Sequence, residues 1–290
     1  MEVVIIGGGI GGLMTALTLH DKGIPVQVFE AATEMKELGV GINMLPHAIK
    51  EIDSVGLQDL VVAGGWPQRN LQFFNKWGQQ VWSEPRGLDA GYQWPQVSIN
   101  RGRLHGILHA AVSERIGEDR VKFGHRFVDF DEKGDRVVAK FAHGPDTGET
   151  VNVEGDIVIA ADGIHSRMRS ILFPDEGDPT YSGQFMWRGV SRTKAWGDRS
   201  SMAIIGHNTQ RFITYPMTAP DADGLQMINW VAHLHRDDML QREDWNRPGN
   251  VEDFLPEYEN WKFDWLDIPA LVRATSGAFE FPMVDRDPLT

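Results

Sequence analysis

Cysteine is absent from the 290 residues. That absence excludes disulfides, thiolate nucleophiles, iron–sulfur clusters and cysteine-ligated zinc. Long apolar runs are missing too: none approaches the roughly 18 residues that a membrane-spanning helix needs. Basic residues are scarce, with Lys and Arg numbering 28 against 41 Asp and Glu, for a formal net charge of −13. A phosphate backbone demands a basic face, so this balance argues against a nucleic-acid partner. The short basic pair Arg167 and Arg169 is too small to reverse it. No basic segment or small-residue cleavage site marks the start Met1-Glu2-Val3, so a cytoplasmic location is expected. No metal site is expected either. His105 and His109 lie four residues apart on a helical stretch without a third ligand, and are read as a solvated helix face.

What is present suits a globular chain: 41% apolar and 24% charged residues, in one large domain or two interleaved ones. Residues 2–6 read as a short buried strand, because a β-branched run precedes a glycine cluster. Residues 10–22 follow as a helix, with Ile10, Leu13, Leu17 and His20 on one stripe and Gly23 as its stop. Residues 25–30 form the next strand, completing a βαβ unit with a parallel sheet implied. Residues 101–116 read as a helix, 121–130 and 136–141 as strands, and 156–161 as a buried strand ending in Asp162-Gly163. Strands at 183–191, 201–206, 211–216 and 226–234 suggest an antiparallel sheet. The Trp-rich acidic stretch 244–275 reads as one or two helices. Ten Trp and fourteen Phe, several of them between 185 and 265, serve either as core or as walls for a flat ligand.

The loop Gly7-Gly8-Gly9-Ile10-Gly11-Gly12 places glycines at a G-x-G-x-x-G spacing. They serve a tight turn, close approach of backbone to a pyrophosphate, and close packing of helix on strand. The helix N-terminus adds free N–H groups and a positive dipole. Glu30 ends the second strand, where a carboxylate accepts the hydroxyls of an adenosine ribose and repels a 2′-phosphate. FAD, NAD and S-adenosylmethionine all satisfy such a loop. The second strand-end acid and glycine, Asp162-Gly163, suits a long cofactor touched along its length.

These motifs, with Arg101, Leu104 and Leu108 in an Arg-x-x-Leu-x-x-x-Leu helix and with Asp162, Gly163, Ser166 and Arg169, carry a resemblance. The sequence resembles the single-component flavoprotein monooxygenases of the para-hydroxybenzoate hydroxylase type, and within them the phenazine-hydroxylating members. The strings that carry the closer likeness are Leu38 to Asn43, Trp82 to Gly87, Met186 to Val190, Asp244 to Arg247 and Pro282 to Pro288. In that family a further strand and a Gly-Asp motif follow the Asp-Arg-x-Pro stretch. This chain ends at Thr290, so it is read as cut short and expected to hold FAD weakly or not at all.

The resemblance implies an α/β fold, with a Rossmann-type FAD-binding domain into which a mixed or antiparallel β-sheet substrate domain is inserted. The cofactor domain is assigned 1–70, 97–180 and 277–290, and the substrate domain 71–96 and 181–276. It implies FAD as cofactor, reduced by NAD(P)H as a transient co-substrate, and O₂ addition giving a C4a-hydroperoxyflavin that hydroxylates an aromatic substrate, a phenazine among the candidates. With neither metal nor cysteine, the hard chemistry belongs to the organic cofactor, and no catalytic acid or base is named. Gly7, Gly9, Ile10, Gly11, Gly12 and Glu30 are expected to hold the ADP half. Arg101 is expected to reach the phosphate or ribityl region, and Asp162 and Gly163 the flavin side, with Asp162 also free to cap the next helix. Val40, Gly41 and Ile42 are expected to border the isoalloxazine ring, and Phe127 the adenine. Met186, Trp187, Arg188, Tyr215 and Trp230 are the substrate candidates. A flavin reductase or epoxidase of the same superfamily, and an inactive fragment, remain alternatives. The assembly is expected to be a monomer or homodimer.

Overall fold

The computed structural model describes residues 1–34, 39–144, 149–237 and 247–288. Of the strings singled out above, Leu38 and Asp244 to Asn246 lie outside the described residues. The chain forms two compact units, one of residues 1–37, 104–179 and 288–290, the other of 38–103 and 180–287. Residues 39–70, 97–103 and 277–287 thus cluster with the large sheet, whereas the resemblance assigns them to the cofactor domain.

In the first unit the apolar run Val3–Ile6 is buried throughout and becomes an inner strand. It pairs in parallel with Val26–Phe29 on one side and Ile157–Ala160 on the other, and Val121–Lys122 extends the sheet beyond Val26–Phe29. Helix Ile10–Asp21 buries Leu13, Ala16 and Leu17; of the expected stripe, Ile10 is half-buried and His20 is exposed. The single strand expected over 121–130 is two. Gly124, at φ +72°, turns the chain after Val121–Lys122, and His125–Lys133 then starts an antiparallel sheet with Arg136–His143 and Thr150–Gly155. Between the two sheets, Phe29 stacks on Phe141 at 4.4 Å with Val4, Ile6 and Met168 around them.

The second unit holds an eight-stranded sheet in the order Pro248–Gly249, Thr275–Asp285, Thr180–Thr193, Gln226–His235, Gln210–Pro216, Ser201–Gly206, Asn70–Phe74, Gln80–Pro85. Every neighbouring pair is antiparallel except Ser201–Gly206 with Asn70–Phe74, so the sheet is mixed. A smaller antiparallel sheet joins Gly41–Met44, Gln96–Asn100 and Trp66–Gln68. At the outer edge, Gln80–Pro85 leaves Val81 and Trp82 exposed.

Strand alternation gives the large sheet two different faces. Trp187, Ala232, Phe212 and Ile205 stand opposite one another and enter a core closed by Phe254, Tyr258, Trp261 and Leu271. The segment that supplies this cover is not the one or two helices expected over 244–275. Its described part holds the edge strand Pro248–Gly249, two 3-10 turns, Val251–Asp253 and Leu255–Tyr258, and one short helix, Ile268–Arg273. Pro256 and Pro269 fit only first-turn positions, and the buried Phe254 and Tyr258 anchor the chain on the sheet at the expense of helical periodicity.

His233 lies in this sheet at 9% exposure. Burial first, and the Arg211 charge second, lower its pKa from 6.5 to about 4. A group whose folded value is depressed contributes stability that is complete above the unfolded value and lost as pH falls through the folded one. The window is therefore pH 6.5 down to 4, and the full effect is about 3 kcal/mol. Urea denaturation at neutral pH and near pH 4.5 should show the wild-type protein losing clearly more stability than His233→Asn. Equal losses would contradict a buried neutral imidazole.

Candidate functional site

The glycine loop leaves the sheet at the end of Val3–Ile6, beside the end of the neighbouring Ile157–Ala160 strand. Two of its glycines are required by the protein itself. Gly7 has φ +104°, and a Cβ there would meet the Ala161 carbonyl oxygen at 2.3 Å. A Cβ on Gly12 would lie 1.9 Å from the Gly7 carbonyl oxygen. Gly9 and Gly11 are different. A Cβ on either would meet no atom within 4 Å, and neither has a positive φ. The protein leaves open space over both, at the N-terminus of helix Ile10–Asp21, where backbone N–H groups and the dipole favour an anion.

Glu30 is already locked beside this space. Its Oε2 accepts the Gly8 N–H at 2.7 Å and its Oε1 accepts the Ala32 N–H at 2.8 Å. Each oxygen keeps a further lone pair for a ligand hydroxyl. His105 reaches the loop from the other side, with Nε2 2.6 Å from the Gly8 carbonyl oxygen. A carbonyl only accepts, so the imidazole donates from Nε2. His105 and its neighbour His109 are therefore not a solvated face: both are half-buried, His109 packs on the Phe123 ring, and burial lowers its pKa. The helical spacing gave no sign of this, because the partner is a backbone carbonyl 97 residues away.

Asp162 and Gly163 follow Ile157–Ala160, and the Asp162 backbone nitrogen lies against Gly7. The Asp162 Oδ2 accepts the Arg167 N–H at 2.8 Å and the Met168 N–H at 3.3 Å, capping the short helix Arg167–Leu172. Phe127 is placed differently from its expected role. Its ring is buried, edge-on to Phe141, within the unit's core.

In the second unit, Val40, Gly41, Ile42 and Arg101 come together. The Arg101 N–H donates to the Val40 carbonyl, and Gly41 pairs with Asn100. The Val40 side chain is buried. The Gly41 N–H donates to Asn229 Oδ1 at 2.7 Å, and a Cβ at Gly41 would meet Met217 Sδ at 2.6 Å and the Tyr215 ring at 2.9 Å. Gly41 is thus pressed against the second face of the large sheet.

That face carries Met186, Arg188 and Val190, opposite His233, Val231 and Asn229, and then Arg211, Ile213 and Tyr215. The substrate candidates therefore divide. Met186, Arg188 and Tyr215 share this face, whereas Trp187 and Trp230 point to the opposite one and are core. Trp187 stacks on Phe254 at 5.1 Å, and the Trp230 indole donates to Ser191 Oγ at 3.0 Å. Arg188 is buried over the Phe281 ring, 5.5 Å from its centroid. Burial and then the Arg101 charge lower its pKa to about 10, which keeps it cationic at neutral pH. Burial raises the Tyr215 pKa, so its phenol stays neutral. The arrangement offers a buried cation among half-buried apolar side chains, suited to a flat ligand with an anionic substituent. Asn229, Asn43 and Ser98 were missed in the sequence. Asn229 had a signal, a polar residue at an inward position of the apolar run 228–232, while the bond from Ser98 to Asn43 links two segments 55 residues apart.

Comparison with known proteins bears on this arrangement. Residues 1–253 match a family described as FAD binding domain. A phenazine 1,6-dicarboxylic acid hydroxylase from Lysobacter antibioticus is 40% identical over 293 residues, covering 99% of this chain and 72% of that protein. A 6-hydroxynicotinate 3-monooxygenase from Bordetella bronchiseptica is 26% identical, again over 99% and 72%. Among solved structures, Klebsiella pneumoniae HpxO complexed with FAD and uric acid superposes with a TM-score of 0.75 at 22% identity, covering all of this chain and 69% of that one. The last likeness establishes the fold.

The steric division of the glycine loop has a direct test. Gly12→Ala should destabilise the protein by about 3 kcal/mol, whereas Gly11→Ala, on an open helical position, should be neutral or stabilise it by up to ~1 kcal/mol. Thermal denaturation of both variants separates them, and similar melting temperatures would contradict the geometry.

Proposed function

We propose, on the premise that this chain belongs to the FAD-binding family it matches, that it hydroxylates an aromatic carboxylate with FAD, NAD(P)H and O₂. The observation that carries the reading is the open space over Gly9 and Gly11 beside the prearranged Glu30: two glycines that no protein atom requires leave room for a ligand. The glycine loop and Glu30 suit the ADP half of a dinucleotide. Gly7, Gly9, Ile10, Gly11 and Gly12 would receive the pyrophosphate, Glu30 the adenosine ribose, Arg101, Asp162 and Gly163 the central part, and Val40, Gly41 and Ile42 the ring system. Phe127 would act only by supporting the core behind that site.

FAD, when bound, supplies the redox chemistry and the activation of O₂ that no side chain of this cysteine-free protein provides. The protein's task is binding and orientation. Arg188 would pair with the substrate's carboxylate, and its burial makes that pair strong and selective. Met186, Ile213 and Val231 would pack the ring and exclude water. Asn229 fixes the position of the Gly41 strand. The phenazine dicarboxylic acid of the Lysobacter relative is a substrate of the required chemistry, and aromatic carboxylates with ring nitrogen are the class to test.

The reading is tested by FAD titration followed by NADH and NADPH oxidation in the presence of such carboxylates. A protein-bound flavin band and substrate-stimulated oxidation yielding a hydroxylated product are expected, and reduction or epoxidation of an added alkene instead would overturn it. Gly9→Ala should keep the fold, losing no more than about 1 kcal/mol at the helix N-cap, yet bind FAD at least tenfold more weakly, about 1.4 kcal/mol. Arg188→Gln should raise KM for the carboxylate far more than for its neutral amide.

A further inference from the structure

A second concavity lies within the 38–103 segment, at the far end of the small sheet, and none of the cofactor or substrate roles above uses it. It encloses about 260 Å³. Its walls are Leu45, Pro46, Tyr92 and Trp94, and its polar groups include Lys50, Arg86 and Gln96. The Trp94 ring is held in place by its indole N–H, which donates to Asp53 Oδ2 at 3.0 Å. Lys50 Nζ stands 5.9 Å from the centre of that ring and makes no ion pair with a carboxylate among the described residues.

Two buried polar atoms in the lining have no hydrogen-bond partner among the described residues: the Arg86 Nε donor and the Gln96 Oε1 acceptor. Gln96 as a whole is 2% exposed. Leaving such atoms unsatisfied is costly, so both side chains gain by turning toward a polar molecule that enters the cleft. Arg86 already gives its Nη2 to Glu84 at 2.5 Å, and the guanidinium keeps its Nε and Nη1 donors beyond that pair. The cleft also meets the first turn of helix Pro46–Ser54, which has no acidic residue in that turn and no side-chain cap. Lys50, the Arg86 guanidinium and the helix N-terminus favour an anion, while the Gln96 Oε1 acceptor suits a donor group on the same ligand. The aromatic walls favour a flat apolar body.

We propose that this cleft is a second binding site, which takes a planar aromatic carboxylate: carboxylate toward Lys50, Arg86 and the helix N-terminus, ring between Tyr92 and Trp94. Because the site requires neither FAD nor the Arg188 face, it stands or falls apart from the hydroxylase reading. The probe is 2-naphthoate, titrated into the 290-residue chain while the indole N–H resonances are followed by nitrogen-15 NMR, with the Trp94 signal identified by its loss in Trp94→Phe. The Trp94 resonance is expected to shift saturably, and 2-naphthamide to bind at least about fivefold more weakly, the value of one partly exposed ion pair. Lys50→Gln, a surface change that leaves the fold intact, and Arg86→Gln should each weaken naphthoate by a similar factor. A Trp94 signal that does not move at millimolar naphthoate overturns the proposal, and so does an affinity that Lys50→Gln leaves unchanged.

Discussion

A helix must come close enough to the turn preceding it for the Gly12 α-carbon to rest on the Gly7 carbonyl, and everything in the first unit depends on that approach. With any side chain at either position, helix Ile10–Asp21 could not pack on its sheet with Leu13 and Leu17 buried, and its N-terminus would aim elsewhere. The same closeness puts the Gly8 N–H within reach of Glu30 and the Gly8 carbonyl within reach of His105. The anion-receiving end of the helix, the acid beside it and the base behind it are therefore one geometric unit.

Alternation along the strands does the corresponding work in the second unit. One strand, Thr180–Thr193, gives Trp187 to a closed aromatic core and Arg188 to the other face, one residue apart. The core face is heavy and interlocked, with Phe254 between Trp187 and Trp230. Such packing fixes the sheet against deformation, and the opposite face can then hold a desolvated arginine next to Tyr215 without collapsing around it.

How far this was legible in the sequence follows from the range of each interaction. The βαβ unit, the glycine loop and Glu30 were readable because each rests on neighbours within thirty residues and on steric rules specific to glycine. The sheet strands from 183 to 234 were readable from alternation, yet alternation does not say which face is covered, so Trp187 and Trp230 could not be told from Arg188 and Tyr215. The cover itself, residues 251–273, forms only one short helix, since its shape is set by Phe254 and Tyr258 finding the sheet rather than by a helical period. His105, Asn229 and the Asn43–Ser98 pair depend on partners brought together only by the finished fold. Motif strings located the site, and long-range packing decided which of their residues face it.

The outermost strand, Gln80–Pro85, ends the large sheet with Val81 and Trp82 turned to solvent. An edge of this kind is a template on which another extended chain can add. Its own protections are modest: Glu84 interrupts the apolar character, and Pro85 removes a donor at its end. The surplus of thirteen negative charges supplies the rest, since copies that repel one another do not bring these edges together. Colloidal behaviour is thereby tied to ionic conditions: concentrated salt, which shortens the reach of that repulsion, strips away the main barrier to edge-to-edge growth while leaving the fold of each molecule unchanged.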